Sequence, residues 1–265
     1  MAEREPGASV VGADTPFGAV PSMASTVFET PDRPLALEKA VELEVNGANV
    51  AILMCTPYDL DLLAYGYLLT SGMIDSLDDI LSMWICPDDS RVSIRCARDP
   101  LAPAKPGVTP SACGAGPISL FHCERAPAVP RGEVFPMESL REWAREVFKQ
   151  ATLHREMGGV HCAALADRDG VICVYEDVGR HNAMDKAIGR GLAGRMDFSR
   201  CCLISSGRIA ADMTAKAIIA GIPVIASRSI PTTAAYAMAV EKGLTMIGRV
   251  SSPSPIVYTM RDRLS

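Results

Sequence analysis

From Leu35 to Pro57 apolar and polar positions alternate, in LALEKAVELEVNGANVAILMCTP, with Asn46-Gly47 between two apolar runs. A period of two places successive side chains on opposite faces of a strand. Asn-Gly accepts the positive φ of a tight turn, so the stretch predicts a β-hairpin. The period then lengthens. PYDLDLLAYGYLLTSGMI spaces its apolar residues helically, with Asp59 near the start and Gly72 past the end. DDILSMWICPDDSRVSIRCAR predicts two further short strands. PMESLREWAREVFKQATLHREMG predicts an amphipathic helix that begins near Met137 or Ser139 and ends at Gly158.

Beyond Gly158 strands and helices alternate. GVHCAALAD and GVICVYEDV predict strands joined by a turn at Arg168-Asp169-Gly170. HNAMDKAIGRGLAG predicts a helix, RCCLISSG a buried strand, IAADMTAKAIIAG a helix, IPVIASRS a strand, PTTAAYAMAVEKG a helix and LTMIGRV a strand. This rhythm predicts an α/β fold with a largely parallel sheet reached through right-handed crossovers. Two stretches lack periodicity. Residues 1–32, rich in Pro, Gly, Ala and Ser, read as a flexible arm. Residues 99–118 form a Pro/Gly/Ala loop around Cys113, long enough to suit a functional segment. The expected organisation is the arm at 1–32, an N-terminal lobe at 33–130 with a thiol loop at 105–118, and an α/β core at 131–265.

Composition narrows the partners. With 48% hydrophobic and 22% charged residues over 265 positions, the chain has ample sequence for a core. A net charge of −5 argues against a broad basic face for nucleic acid, because neutralising phosphates takes clustered Lys and Arg; a local anion pocket stays open. No apolar run reaches the roughly 20 residues that span a bilayer. The N-terminus lacks the basic start and apolar core of a secretion signal, so a cytoplasmic protein without membrane contact is expected. Nine cysteines, an odd number at scattered spacings, read as free thiols, many of them core residues. Cys201-Cys202 heads an apolar run and belongs to the core.

The densest polar cluster is YEDVGRHNAMDKAIG, at a strand-to-helix junction. It holds Glu176, Asp177, Arg180, His181, Asn182, Asp185 and Lys186, with Gly179 at the bend. Free N–H groups and the helix dipole favour an anion there, and Arg180 can hold a phosphate or carboxylate through two bonds. The plainer reading is a capped helix with a solvated charged face. Three further junctions carry the same chemistry: Ser205, Ser206, Gly207 and Arg208; Ser227, Arg228, Ser229, Thr232 and Thr233; and GRVSSPSP after the last strand. In open α/β sheets ligands bind beyond the carboxyl ends of the strands, where all four segments fall. Together they suit a nucleotide-sized anionic ligand.

A metal site is not expected. His161 and Cys162 are neighbours and point to opposite faces of a strand, Ala163 stands where a zinc deaminase needs Glu, and no C-x-x-C occurs. His161 reads as a pocket or core histidine, and His122 and Cys123 are isolated. Cys113, in PSACGAGP, has two readings: a small loop residue or a working thiol.

The longer pattern resembles the formate dehydrogenase accessory sulfurtransferase family (FdhD type). The resemblance begins at EDVGRHNAMDKAIG and continues through SSGRIAADMTAKAIIAGIPVIASRSIPTTAAYAMAVEKGLTMIGRV to VYT. Upstream, GGVHCAAL is similar to the family's G-G-x-H-x-A-A-L, and VNGANVAILMCTPYDLDLLAYGYLLTSGMI resembles its N-terminal signature, so about residues 33–260 are covered. It implies a cytidine-deaminase-like three-layer core with a mixed sheet and no zinc site, a smaller β-rich N-terminal lobe, and a homodimer. It further implies that a cysteine desulfurase passes sulfur to Cys113. The Cys113 persulfide then supplies the bis-molybdopterin guanine dinucleotide cofactor of a molybdenum or tungsten formate dehydrogenase. The segment Arg249, Val250, Ser251, Ser252, Pro253 and Ser254 is the one the family assigns to cofactor binding, with Arg249 where an aromatic residue is usual. The strand-end candidates Asp177, Arg180, His181, Asn182, Ser206, Gly207, Arg208 and Ser229 join it. The family's thiol loop reads S-S-C-G-x-C-G; here Cys113 keeps the first cysteine and Gly116 replaces the second, and Ser71 stands where Glu is usual. One thiol suffices to accept and donate a sulfane sulfur. A cofactor-binding chaperone that moves no sulfur is the alternative.

Overall fold

The computed structural model describes residues 27–97, 108–109 and 123–265. Two short strands, β1 (Val27–Phe28) and β2 (Leu35–Ala36), pair antiparallel, so regular pairing begins inside the stretch read as an arm. Strands β3 (Lys39–Val45) and β4 (Ala48–Cys55) form the expected hairpin, turning through Asn46 at φ 49° and Gly47 at φ 82°. Helix α1 (Leu60–Thr70) follows. Strands β5 (Ile80–Ile85), β6 (Arg91–Cys96) and β7 (Val108–Thr109) complete a five-stranded sheet of order β5-β6-β3-β4-β7. Val41, Leu43, Val45, Val92 and Ile94 alternate onto its inner face.

The amphipathic stretch after Pro136 is two helices, where one was expected. Helix α2 (Met137–Gln150) stops at Ala151, whose ψ of 85° leaves the helical region, and α3 (Thr152–Met157) restarts at once. The cause is Glu176. Its carboxylate accepts from the Leu153 and His154 amides at 3.1 and 2.6 Å, capping a new helix start that the apolar pattern alone does not show.

The second half contributes β8 (His161–Asp167), β9 (Gly170–Asp177), α4 (Arg180–Ala193), β10 (Cys202–Ser205), α5 (Ala211–Ile219), β11 (Val224–Ser227), α6 (Thr233–Lys242), β12 (Thr245–Gly248) and β13 (Ile256–Thr259). Their sheet has the order β13-β12-β11-β10-β8-β9. Strands β9 to β12 run in one direction, and β10, β11 and β12 are each reached through a helix as the alternation predicts. Strand β8 lies between β9 and β10 and runs against both, and β13 runs against β12. Only β10–β11 and β11–β12 are parallel neighbours, so the sheet is mixed. The tight turn before Gly170, at φ 136°, folds β9 back on β8, and α4 carries the chain over β8 to β10.

Helices cover both faces of this sheet. Leu140, Ala144 and Val147 of α2 pack on Cys162, Ala164, Ile204 and Ala226. On the other face Ala163, Leu165, Leu203 and Ile225 meet α4, α5 and α6, and the same core runs on through α1 to the five-stranded sheet. The lobes join where α1 crosses α4. A Cβ on Gly66 would lie 1.9 Å from the Asp185 carbonyl oxygen, and one on Gly189 1.9 Å from that of Leu62. Only glycine allows such backbone contact.

Candidate functional site

Strands β10, β11 and β12 end side by side, and their loops are stitched laterally. The Arg228 amide donates to Ser205 O at 3.1 Å, the Val250 amide to Ser227 O at 2.9 Å, and the Arg249 amide to Ser229 O at 2.9 Å. Two buried serines in register hold the turns. Ser205 Oγ accepts from the Gly207 amide at 3.1 Å; Ser227 Oγ donates to Gly207 O at 2.5 Å and accepts from the Ser229 amide at 3.0 Å. Because β8 is antiparallel to β10, its first residues arrive at the same end. Ser206 Oγ accepts from the Cys162 amide at 3.0 Å and lies 3.4 Å from His161 Nδ1.

This rim is cationic. Arg180 opens α4, with its stem against Gly207, where an added Cβ would lie 3.1 Å from the Arg180 Cβ. Arg208, Arg228 and Arg249 are exposed, and none of them is ion-paired among the described residues. The Arg228 guanidinium lies 5.6 Å from the Phe148 ring centroid. Arg249 has φ 51°, a left-handed conformation unfavourable for a side chain of its kind. Helices α4, α5 and α6 all begin at this rim and add their N-terminal dipoles.

The acids nearby are already engaged. Asp177 Oδ2 lies 2.8 Å from Lys186 Nζ and accepts from the Thr56 amide; Oδ1 accepts from the Gly179 amide and from Asn182 Nδ2. Glu176 caps α3. Asp212 Oδ2 lies 2.8 Å from His181 Nε2. Burial pushes the Asp212 carboxyl up, but the hydrogen bond and charge of His181 outweigh it and hold it low.

The sequence candidates therefore divide. Arg180, Ser206, Arg208, Ser229 and Arg249 stand at the rim. Gly207 is buried against Arg180, while Ser251, Ser252, Pro253 and Ser254 form the turn between β12 and β13. Val250 points into the core beside α2. Asp177, His181 and Asn182 face inward. Asn182 Nδ2 donates to Met54 O at 2.7 Å and Lys186 Nζ to Thr56 O at 2.8 Å, so this block clamps the end of β4. Lys186 also lies 3.6 Å from the Tyr58 ring centroid. The solvated charged face is thus absent: His181 to Gly189 are all buried. Gly179 sits at φ −98°, a conformation open to any residue, so its value is not in the bend. Sequence reasoning passed over His154, which belongs to this end of the sheet; a short helix capped from a distant strand leaves no local signal.

Cys113 lies outside the described residues. The described chain on either side of its segment is anchored. Thr109 pairs with Leu53, three residues before Thr56. On the far side, Cys123 Sγ lies 3.5 Å from Met238 Sδ, and Lys242 Nζ donates to Glu124 O and Ala126 O at 3.0 and 2.9 Å. All eight described cysteines are free. Burial pushes the thiols of Cys55, Cys162 and Cys201 up to about 12 and those of Cys123 and Cys173 up to about 11, and raises Cys96 and Cys202 as well. No group of three or more His, Cys, Asp or Glu among the described residues is placed to hold a metal ion. No helix among them is long and apolar enough to cross a membrane.

Fold and site together define a mixed α/β protein with a cationic rim at the carboxyl ends of its parallel strands. The family model described as FdhD/NarQ matches residues 36–265, and the chain belongs to that family. It is 35% identical to a sulfur carrier protein FdhD of Streptomyces avermitilis, over 87% of this chain and 89% of the relative. A protein of the same name from Methanothermobacter thermautotrophicus is 34% identical, over 84% and 88% of the two chains. The fold matches the crystal structure of a protein from Desulfotalea psychrophila described as a formate dehydrogenase accessory protein. The TM-score is 0.72 at 24% identity, over 90% of this chain and 96% of that one.

Proposed function

We propose that the protein is a sulfur carrier serving formate dehydrogenase, with Cys113 as the carrier thiol. A Cys113 thiolate attacks the outer sulfur of a persulfide on a cysteine desulfurase. One S–S bond breaks, another forms, the desulfurase leaves as thiolate, and no outside electrons are needed. The acceptor of that sulfur is the molybdenum or tungsten bis-molybdopterin guanine dinucleotide of the client dehydrogenase. Its pyrophosphates suit the rim of Arg180, Arg208, Arg228 and Arg249. The reading includes a cytoplasmic homodimer and a core of the cytidine-deaminase type, supported by the mixed sheet with helices on both faces.

The observation that carries the choice of Cys113 is the state of the other thiols. Seven of the eight described cysteines are held protonated by their surroundings, whereas sulfur relay needs a thiolate with access. The eighth, Cys86, hydrogen-bonds Asp88 beyond β5, at the sheet edge opposite β7. The test is mass spectrometry after incubation with a cysteine desulfurase and cysteine. Cys113 is expected to gain one sulfur atom. If Cys113→Ser still activates formate dehydrogenase fully, the relay reading fails. Gly116, in place of a second loop cysteine, favours a second reading: a chaperone that binds the cofactor and moves no sulfur. Nucleotide binding with no mass gain on any cysteine selects it.

A further inference from the structure

We propose that His161 is a proton-linked anion-binding residue of the strand-end rim: it takes up a proton when a pyrophosphate-bearing ligand docks there. The proposal rests on the reading of the rim as a nucleotide site. His161 is the first residue of β8, half-buried, paired across the sheet with Asp177 and two residues beyond Ala163, which faces the last residue of β10. Its Nδ1 lies 3.4 Å from Ser206 Oγ, whose oxygen already accepts from the Cys162 amide at 3.0 Å. The Ser206 hydroxyl can therefore donate to a neutral Nδ1, or rotate and accept from a protonated one. A hydroxyl is the partner that serves both states of the ring without loss.

The charges around this ring are predominantly positive. Arg180 and His181 face it from α4 and His154 from α3. On β9, Asp177 is spent on Lys186 and Glu176 on the α3 amides; on α5, Asp212 is spent on His181. Burial, then Arg180, then His154 and His181 hold the ring below the ordinary histidine value against an upward pull from Asp177, which favours the neutral ring at pH 7. A pyrophosphate at the rim supplies negative charge beside Arg180, reverses the local field and favours imidazolium. Binding and protonation are then coupled. Affinity rises as pH falls through the bound-state value of His161, and the coupling vanishes below its free-state value.

The experiment is calorimetry with diguanosine pyrophosphate in buffers of different protonation enthalpy. This diester is the probe because a phosphate monoester takes up its own proton near pH 6. The expected result is proton uptake at pH 6.5 and an affinity roughly threefold to tenfold higher at pH 6.0 than at pH 7.5. His161→Gln is expected to bind without uptake and without that pH dependence, while His154→Gln keeps both. Binding without uptake by the unaltered protein, or uptake that persists in His161→Gln, overturns the role of His161 and leaves the rim reading standing. Absence of binding at every pH overturns both.

Discussion

Gly66 runs against Asp185 so closely that a methyl group on it would lie 1.9 Å from the Asp185 carbonyl oxygen. The contact brings α1 of one lobe onto the helix that opens at the cationic rim. Any larger residue must force the helices apart. Gly66→Ala and Gly189→Ala are each expected to cost about 3 kcal/mol, the upper end of what overpacked cores lose, because the atom met is backbone. Urea denaturation reads the cost; an unchanged midpoint would show that the crossing yields freely.

Beside that contact, Lys216 Nζ lies 2.7 Å from both Asp185 carboxylate oxygens and 2.8 Å from Thr70 Oγ1, with no solvent access. Removing one partner of such a pair strands the other. Lys216→Met alone is expected to cost about 3–5 kcal/mol, and the double change with Asp185→Leu much less than the sum of its parts. Additive losses in a double-mutant cycle would mean that the two groups act separately.

Asp212 gives a sign to acid stability. His181 holds its folded-state carboxyl below the ordinary value, so its contribution is fully present above the unfolded value near 3.9. It is lost as pH falls from there through the lower folded value. Asp212→Asn is expected to flatten the decline of stability between pH 5 and 3, measured by urea denaturation at each pH. An equally steep decline in the variant contradicts the assignment.

The rim predicts a salt-sensitive loss of affinity. Arg208→Ala and Arg249→Ala are each expected to weaken diguanosine pyrophosphate binding by about 1 kcal/mol, roughly fivefold, at low salt. The difference should shrink at high ionic strength. Calorimetry at two salt concentrations checks it, and equal affinity of variant and unaltered protein at low salt rejects the rim as the site.

Thiol reactivity separates Cys113 from the core. Under native conditions iodoacetamide is expected to label Cys113 at least 100-fold faster than Cys162 or Cys202, because alkylation follows access and thiolate fraction. Peptide mapping over time measures the ratio. Equal rates would remove the argument from the buried thiols.

Much of the fold was legible locally. Alternation gave the β3–β4 hairpin and its turn, and the change of period gave α4, α5 and α6 between their strands. Less could be read where a distant group intervened. The break at Ala151 depends on Glu176, and IVYT becomes β13 only through its pairing with β12. The direction of β8 against β10 is a long-range pairing that no local pattern records.

The sequence by itself determined which residues gather at strand ends, because a strand followed by a helix brings its loop to the carboxyl edge wherever the sheet lies. It also carried the resemblance to the family, in motifs that run over most of the chain. Only the tertiary structure decided which of those residues face outward. Arg180 and Asn182 are two positions apart on one helix, yet one stands at the rim and the other reaches back to Met54. The apparent run of surface charge in EDVGRHNAMDK became a buried clamp because α1 and β4 cover it. A buried ion must be paired, and the partners, Asp177 for Lys186 and Lys216 for Asp185, stand 9 and 31 positions away in the chain.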